Sequence, residues 1–363
     1  MKILFQLNHP AHYHLLKNSI MNLKLKGHEV HILARGKDVL KDLLVGECYT
    51  MISTRKGINI PDKIRKMGDA KKEILNFVIE YKPDIVVGTG TFSYITQKLK
   101  IPTIFLAEDD ANLNLPIFLG ALMCYPSFSE ILTPAVCDNS IWNSKSIKYN
   151  SYHELAYLHP NHFTPDAKVV EKYFSSSKPY FIIRFAKLNA YHDIGIKGIN
   201  TEIAQKLIDI LKPHADIYIT SERELEPQFE QYRIKINPLD MHHVMAFAQL
   251  YIGDSQTMAA EAGVLGVPFV RFNDFVGRIG YLKELEDVYN LGYGIKTNEV
   301  EKLYKTVSDL ISMPDRSEVF AIRRKKMLSE KIDYAQFLTW FIENYPQSAQ
   351  TMRENPDYQY RFR

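Results

Sequence analysis

Cysteine is scarce in this chain, which has three cysteines in 363 residues: Cys48, Cys124 and Cys137. They form no CxxC pair and no spacing typical of metal ligands, so the sequence excludes a disulfide scaffold and a zinc ribbon. So few cysteines suit a reducing compartment, and we expect a cytoplasmic protein.

A strong net charge and a long apolar run are also missing. The 45 basic and 42 acidic side chains leave a formal charge of +3. No stretch interleaves basic and aromatic residues, and nucleic-acid binding is therefore not expected. Because strand-like residues begin at Lys2 and no apolar run reaches about 18 residues, neither a signal peptide nor a membrane span is predicted. The basic run 323–326 is typical of a solvated helix face; peripheral contact with an anionic membrane, at its inner face, is the alternative.

What is present indicates a soluble globular protein with two domains. Hydrophobic residues make up 46% of the chain and charged residues 24%, and 363 residues exceed one ordinary core. The strand and helix pattern weakens between Pro160 and Pro179, where we place the connection. We assign residues 1–165 to an N-terminal domain, 175–345 to a C-terminal domain, and 346–363 to a polar, poorly packed tail.

Both domains show the strand-helix alternation of a parallel sheet. The predicted strands of the first domain begin at Lys2 and include 30–34, 85–87 and 103–106. Those of the second domain are 180–185, 217–220, 234–236, 250–252 and a strand from Pro268, followed by mostly helical chain after Tyr281. The predicted class is α/β, with two Rossmann-like domains facing a cleft.

The stretch 251–271, YIGDSQTMAAEAGVLGVPFVR, predicts a strand, a tight turn, a helix and a second strand. Asp254 or Ser255 suits the helix N-cap, and Gly266 ends the helix. Free N–H groups and the helix dipole at such an end suit a phosphate, to which Ser255 and Thr257 would add hydroxyl groups. Glu261 would accept a hydrogen bond from a ribose diol. The alternative is that these polar residues only cap the helix.

Two loops of the first domain carry candidate acid-base groups. The loop 8–14 contains three histidines, and an imidazole suits a general base near neutral pH; the alternative is that these histidines only satisfy backbone groups. Their spacing, with no third ligand, predicts no metal site. Glu108, Asp109 and Asp110 follow another strand, where close carboxylates raise one another's pKa. The alternative is that they are exposed or capping.

The segment D-S-x-x-M-x-x-E-A-x-x-L-G-x-P, residues 254–268, resembles the nucleotide-diphosphate motif of UDP-N-acetylglucosamine 2-epimerases and of GT-B glycosyltransferases. The resemblance implies a GT-B fold in which this turn holds the diphosphate and Glu261 the ribose. The position of His12 is similar to that of the first-loop histidine in the lipid-linked peptidoglycan N-acetylglucosaminyltransferase, with His14 as the alternate. The segment 102–114, PTIFLAEDDANLN, resembles the epimerase segment in which a glutamate follows this strand, which corresponds to Glu108.

Two departures from the epimerase pattern argue against epimerisation. Epimerases carry an aspartate where this chain has the loop 88–91, GTGT, and a histidine-arginine pair where it has Ile183-Arg184. Arg184 still suits pairing with a diphosphate through its planar guanidinium. Ser221 approaches the nucleotide base or only caps a helix. Lys187, His192 and Asp193 lie in the loop after Arg184.

Taken whole, residues 1–342 resemble a broad bacterial and archaeal family of unknown function with the GT-B fold. The preferred hypothesis is a metal-independent glycosyltransferase that uses a nucleotide-diphosphate sugar, UDP-linked by preference, in surface or envelope polysaccharide synthesis, without a cofactor. The acceptor would be a saccharide or lipid-linked; the apolar stretch 113–124 either contacts a lipid acceptor or, as we favour, packs as a core helix. The alternatives are a 2-epimerase and a non-catalytic sugar-nucleotide-binding protein. The predicted catalytic residues are His12, Glu108 and His14, and the predicted nucleotide-binding residues are Arg184, Ser221, Gly253, Asp254, Ser255, Thr257, Met258 and Glu261.

Overall fold

The computed structural model describes residues 1–35, 38–52, 60–89, 93–174, 178–186 and 198–363. They form two compact units: the first comprises Met1–Tyr157 with Ile332–Arg363, and the second comprises Leu158–Lys331. Each unit is built on a parallel sheet with connecting helices. The predicted α/β class with two parallel-sheet domains is confirmed.

The sheet of the first unit has seven strands among the described residues. They are β1 (Lys2–Leu7), β2 (Glu29–Arg35), β3 (Tyr49–Ile52), β4 (Ile85–Gly88), β5 (Thr103–Leu106), β6 (Glu130–Pro134) and β7 (Ser146–Tyr149). They lie in the order β3-β2-β1-β4-β5-β6-β7, with parallel neighbours. Ile3, Leu4 and Phe5 of β1 are fully buried, as expected for a central parallel strand covered on both faces.

The second unit has a five-stranded sheet in its described part. Its strands are β8 (Tyr180–Phe185), β9 (Asp216–Ser221), β10 (Leu250–Gly253), β11 (Phe269–Phe272) and β12 (Gly292–Ile295). The order is β12-β11-β10-β8-β9, again with parallel neighbours.

Helices connect the strands in both units, and α6 contains the residue at which the chain passes from the first unit to the second. They are α1 (Pro10–Leu25), α2 (Asp38–Leu43), α3 (Ile60–Tyr81), α4 (Ser93–Lys98), α5 (Leu115–Cys124), α6 (Leu155–Leu158), α7 (Ala167–Val170), α8 (Thr201–Leu211), α9 (Met241–Ala246), α10 (Gln256–Leu265), α11 (Gly280–Lys283), α12 (Val300–Ile311), α13 (Arg316–Glu330), α14 (Tyr334–Glu343) and α15 (Gln347–Glu354).

The sequence explains where α8 forms and which side it buries. Asn200 caps its start, because the side chain accepts a hydrogen bond from the N–H of Ile203 at 2.9 Å. Ile203, Leu207 and Leu211 recur every four residues and are buried, so one helical stripe forms the buried side of the helix.

Several strands differ from the prediction. β3, β6, β7 and β12 were not predicted, and all are short, with four or five residues each. Residues 234–236 were predicted as a strand but are irregular; the only pairing in this region of the described chain is an isolated bridge between Ile219 and Arg233. Whether such short segments form strands depends on pairing and packing with neighbouring strands more than on their local composition.

The C-terminal residues were predicted to form a loosely packed tail, and this is wrong. α15 buries Ser348, Ala349 and Met352. The chain from Ile332 onward, including the part predicted to lie in the second domain, belongs to the first unit. Its α14 packs on α1, where the Ser19 hydroxyl donates to the carbonyl of Ala335 at 3.2 Å.

The preference for α5 as a core helix is also wrong. Leu115, Leu119, Leu122 and Met123 are exposed, with Met123 at 82%, while Ala121 is the buried residue of the helix. No helix in the described part of the chain is both long and apolar enough to cross a membrane.

Candidate functional site

The strand order of each sheet reverses at one point. In the first unit the reversal lies between β1 and β4, and in the second it lies between β8 and β10. Adjacent loops diverge at such a point, and the crevice at the carboxyl ends of the strands is where ligands bind in open parallel sheets. His12 follows β1, Arg184 lies near the end of β8, and the turn 253–255 begins at the last residue of β10. The topology therefore places predicted residues at both points.

Gly253 ends β10 in a space that admits no side chain. A Cβ there would lie 2.7 Å from the Tyr251 hydroxyl and 2.9 Å from both the Cβ and the carbonyl oxygen of Arg184. Tyr251 is fully buried, and burial is the main cause that raises the pKa of its hydroxyl. A glycine is therefore required where β10 passes closely beside β8.

Asp254 is buried and anchors the ends of the loop after β8. Its Oδ1 accepts a hydrogen bond from the N–H of Ala186 at 2.6 Å, and its Oδ2 accepts one from the N–H of Ile199 at 3.3 Å. Burial raises the pKa of Asp254 to about 6, while the hydrogen bond from Ala186 acts in the opposite direction. Asn273 donates to the Asp254 carbonyl at 3.1 Å and fixes the turn from the other side. The Asp254 carboxylate thus binds the backbone N–H groups at the two ends of that loop.

Ser255 is the N-cap of α10, as predicted, with its hydroxyl 3.5 Å from the N–H of Met258. Gly266 ends the helix in the left-handed conformation at φ +84°, which confirms the predicted stop. Thr257 is exposed in the first turn and Met258 is half-buried. The first turn of α10 therefore presents N–H groups and the Thr257 hydroxyl together.

Glu261 lies on the buried side of α10 and contacts a histidine that sequence reasoning missed. Its Oε1 is 2.9 Å from Nε2 of His242 in α9, and both side chains are less than 10% exposed. Phe163 packs edge-on against His242. The predicted ribose acceptor is thus engaged with a neighbouring imidazole.

Arg184 forms an ion pair with Glu222, and its side chain is 16% exposed. Its Nε is buried and has no hydrogen-bond partner among the described residues. Ser221 uses its hydroxyl locally, since it donates to the Arg223 carbonyl at 2.7 Å and accepts from the Arg223 N–H at 3.1 Å. Arg184 therefore keeps donor capacity beside Gly253, whereas Ser221 closes a turn.

His12 of the first unit lies between the ends of β1 and β4. Its Nδ1 accepts from the N–H of Asn8 at 3.1 Å, and the Thr89 hydroxyl is 2.7 Å from Nδ1 and 3.0 Å from Nε2. Burial, aided by neighbouring His9 and His153, lowers the pKa of His12 to about 3. The imidazole is therefore neutral at pH 7.

His14 is buried and packs its ring against Tyr157, with 5.6 Å between ring centroids. It lies on the core side of α1 and not with the loop groups around His12. This placement suits the alternative in which His14 serves the structure.

Glu108 meets a second histidine that the sequence did not single out. Its Oε2 is 3.3 Å from Nδ1 of His153, and its Oε1 accepts from the His153 backbone N–H at 3.3 Å. The neighbouring Asp110 is buried, and its Oδ1 accepts from the N–H of Asp138 at 2.6 Å. Of the two acids, Glu108 contacts an imidazole and Asp110 fixes a loop.

No signal in the sequence singles out His153. Residues 151–159, SYHELAYLH, are all buried in the structure, yet they mix polar and apolar side chains, so their burial cannot be predicted from composition. His242 had no signal either, because two adjacent histidines on a short helix are ordinary surface composition.

Some predicted groups lie outside the described residues: Gly90 and Thr91 of the loop after β4, and Lys187, His192 and Asp193 of the loop after β8. Within the described ranges, no three His, Cys, Asp or Glu side chains are arranged to hold a metal ion.

Comparison with known families decides the relationship of the chain. The profile of a family described as "Protein of unknown function (DUF354)" matches residues 1–316. The chain belongs to DUF354. This DUF354 chain has no match among curated proteins.

Solved structures similar to the DUF354 chain are epimerases and glycosyltransferases. UDP-GlcNAc 2-epimerase from Neisseria meningitidis, bound to UDP-GlcNAc, matches with a TM-score of 0.59 and 13% identity over 90% of this chain and 100% of that one. The UDP-GlcNAc 2-epimerase of Methanocaldococcus jannaschii matches with a TM-score of 0.61 and 16% identity, over 90% of this chain and 99% of that one. The spinosyn forosaminyltransferase SpnP matches with a TM-score of 0.60 and 13% identity, over 95% of this chain and 100% of that one.

These identities show a shared fold alone. The DUF354 chain has the GT-B fold, and its predicted relation to both groups of proteins is confirmed at that level.

Proposed function

We propose that the protein is a metal-independent glycosyltransferase that takes its sugar from a nucleotide diphosphate, with UDP as the preferred nucleotide. The observation that carries the proposal is the end of β10, where the backbone of Gly253 packs directly against Arg184 and the N-terminus of α10 follows. N–H groups at a helix start and a guanidinium are the donors that bind phosphate best. The epimerases and glycosyltransferases that share the fold include one bound to UDP-GlcNAc and one complexed with dTDP.

Different residues of the second unit bind different parts of the nucleotide. Arg184, Ser255 and Thr257 bind the diphosphate, whose charge Arg184 and the helix dipole offset without a metal ion. Gly253 and Asp254 hold the turn. Glu261 accepts hydrogen bonds from the ribose hydroxyls.

Transfer is a direct displacement. A base of the first unit removes the proton from the acceptor hydroxyl, whose oxygen attacks the anomeric carbon as the bond from that carbon to the diphosphate oxygen breaks. The leaving diphosphate gains negative charge, which Arg184 and the N–H groups stabilise. The anomeric configuration inverts. We place the reaction in the cytoplasm, in surface or envelope polysaccharide synthesis, with a saccharide or lipid-linked acceptor.

Calorimetric titration with uridine, UMP and UDP tests the donor site. We expect affinity to rise with each phosphate and to fall about 10- to 100-fold for UDP, and little for uridine, in Arg184→Gln, because a charge-assisted hydrogen bond is lost. Arg233→Gln is the matched control, since Arg233 pairs with Glu230 at 2.6 Å on the surface of the same unit. Absence of binding by UDP, GDP and CMP alike would remove the proposal.

An epimerase reaction on the same donor is the second candidate, favoured by Glu108 at the position that resembles the epimerase glutamate. Incubation of UDP-GlcNAc in heavy water separates the two reactions. Deuterium at C2 of the sugar indicates epimerisation, and transfer predicts none.

A further inference from the structure

The first unit contains a carboxylate-imidazole pair in which the carboxylate contacts both the ring and the backbone of its histidine. Glu108 contacts Nδ1 of His153 with one oxygen and accepts the backbone N–H of the same residue with the other, both at 3.3 Å. Only the protonated form of Nδ1 can donate to a carboxylate. The contact therefore selects the tautomer with hydrogen on Nδ1 and a lone pair on Nε2.

That lone pair is left unused. Nε2 of His153 is buried and has no hydrogen-bond partner among the described residues. Asn8 Oδ1 and Gln6 Nε2, near the end of β1, are likewise buried and unpartnered within the described chain. Buried polar atoms without partners are uncommon and call for an explanation such as a ligand.

The surroundings hold the imidazole in one orientation. The ring of Tyr334 stacks on His153 with 5.7 Å between centroids at 25°, and Tyr149 stacks on Tyr334 at 4.3 Å. The charged and titratable groups that act on His153 are Glu108 and Asp109, with His12 close enough to interact. A ring fixed by stacking and by a carboxylate is arranged for directed proton transfer.

His12, the candidate from the sequence, lacks this arrangement. Both of its ring nitrogens lie within 3.1 Å of the Asn8 N–H or the Thr89 hydroxyl. No carboxylate pairs with it in the described part of the chain. An imidazolium formed on His12 would have no anion to stabilise it, whereas one formed on His153 would have Glu108.

We propose that His153 is the general base of the transfer reaction and that Glu108 is its positioning residue. This inference rests on the proposed function. Nε2 takes the proton of the acceptor hydroxyl as the oxygen bonds to the anomeric carbon and the diphosphate departs with the bonding electron pair. Glu108 stabilises the imidazolium, which afterwards releases the proton to solvent.

The conservative variant His153→Asn tests the base. It keeps an amide N–H in place of Nδ1–H and removes Nε2. The measurement is UDP formation from UDP-GlcNAc, with water and free saccharides as acceptors, alongside calorimetric UDP binding. We expect His153→Asn to bind UDP as the wild type does, with an unchanged KM and a kcat lower by about 10²- to 10⁴-fold.

A tautomer measurement needs no substrate. Side-chain ¹⁵N spectra of the whole protein should show His153 with hydrogen on Nδ1, and Glu108→Gln should disturb that tautomer and lower turnover. An acid limb in the pH profile of the wild type should be absent from His153→Asn, which a purely structural role would not predict.

The outcomes distinguish this inference from the proposed function. Wild-type turnover in His153→Asn, or hydrogen on Nε2 in the wild type, overturns the role of His153 and leaves the transferase proposal standing. A wild type that binds no UDP and forms none overturns the transferase proposal and, with it, the inference.

Discussion

The hydroxyl of Tyr251 lies beside Gly253 so closely that a Cβ on the glycine would approach it to 2.7 Å. Tyr251 and Gly253 are two residues apart on β10, so they face the same side of the sheet. The buried tyrosine thus occupies the space a side chain would need, and backbone alone remains where the strand turns into α10. A turn built this way presents N–H groups unobstructed.

Gly253→Ala should therefore destabilise the second unit and weaken UDP binding. The added methyl meets two backbone or near-backbone atoms of Arg184 at 2.9 Å as well as the tyrosine, and none of these is a flexible chain end. Overpacking of this kind costs about 1–3 kcal/mol. Calorimetric unfolding and UDP titration measure both effects.

Gly120→Ala is the control, because no atom lies within 4 Å of its Cβ position in α5. It should stabilise by up to about 1 kcal/mol, since alanine favours a helix. Equal stability of Gly253→Ala and the wild type would show that the turn yields without cost.

The neutral histidine His153 predicts that the first unit loses stability in acid. Burial lowers the pKa of His153 to about 3, below the unfolded value of about 6.5. Between these values the unfolded chain binds more protons, so the free energy of unfolding falls as pH falls from about 6.5 towards 3. The slope from this group is at most about 1.4 kcal/mol per pH unit.

Urea unfolding followed by tryptophan fluorescence measures this slope in the appropriate unit, because both tryptophans, Trp142 and Trp340, belong to the first unit. His153→Asn should reduce the slope between pH 4 and 6. The remaining slope has the same sign, since burial lowers the pKa of His12 as well. An unchanged slope would mean that His153 titrates normally.

The contact between Glu261 and His242 predicts a coupled pair. His242→Ala removes the hydrogen bond to the buried Glu261 carboxylate at a cost of about 1–3 kcal/mol, and Glu261→Ala removes the same hydrogen bond. The double variant should therefore cost less than the sum of the single ones. Calorimetric unfolding of the four proteins completes the cycle.

Ligand binding tests whether the pair also serves ribose. His242→Ala should weaken the binding of UDP, which carries the ribose, and leave the binding of inorganic pyrophosphate unchanged. His243→Ala is the control on the same helix; its ring accepts from the N–H of Asp166 at 3.0 Å instead. Equal losses for UDP and pyrophosphate would assign His242 to the fold alone.

Local chemistry made the turn and α10 predictable from sequence. A serine cap, an apolar period and a left-handed glycine stop act over a few residues, so Ser255 and Gly266 were identified without tertiary information. The two-unit parallel architecture followed from the same alternation of strands and helices.

Contacts between distant residues were not predictable. β12 has the sequence GYGI, and glycine disfavours a strand, yet a Cβ at Gly292 would lie 2.4 Å from the ring of Phe269. Glu108 and His153 are 45 residues apart, and no local pattern pairs them. Both contacts depend on how distant parts of the chain pack together in the fold.

The exposed side of α5 gives the last prediction. Met123 and Leu122 are 82% and 48% exposed, while Ala121 packs with Tyr125, Phe128 and Trp142. Met123→Ser and Leu122→Ser should each change the free energy of unfolding by about 0.5 kcal/mol or less, because exposed substitutions remove few contacts. Ala121→Asp buries an unpaired carboxylate and should lower the free energy of unfolding several-fold more than either serine variant does. Tryptophan fluorescence, to which Trp142 contributes, follows the unfolding. A loss of more than about 1 kcal/mol in Met123→Ser would mean that a partner covers this helix in solution, and its dependence on protein concentration would identify a second copy.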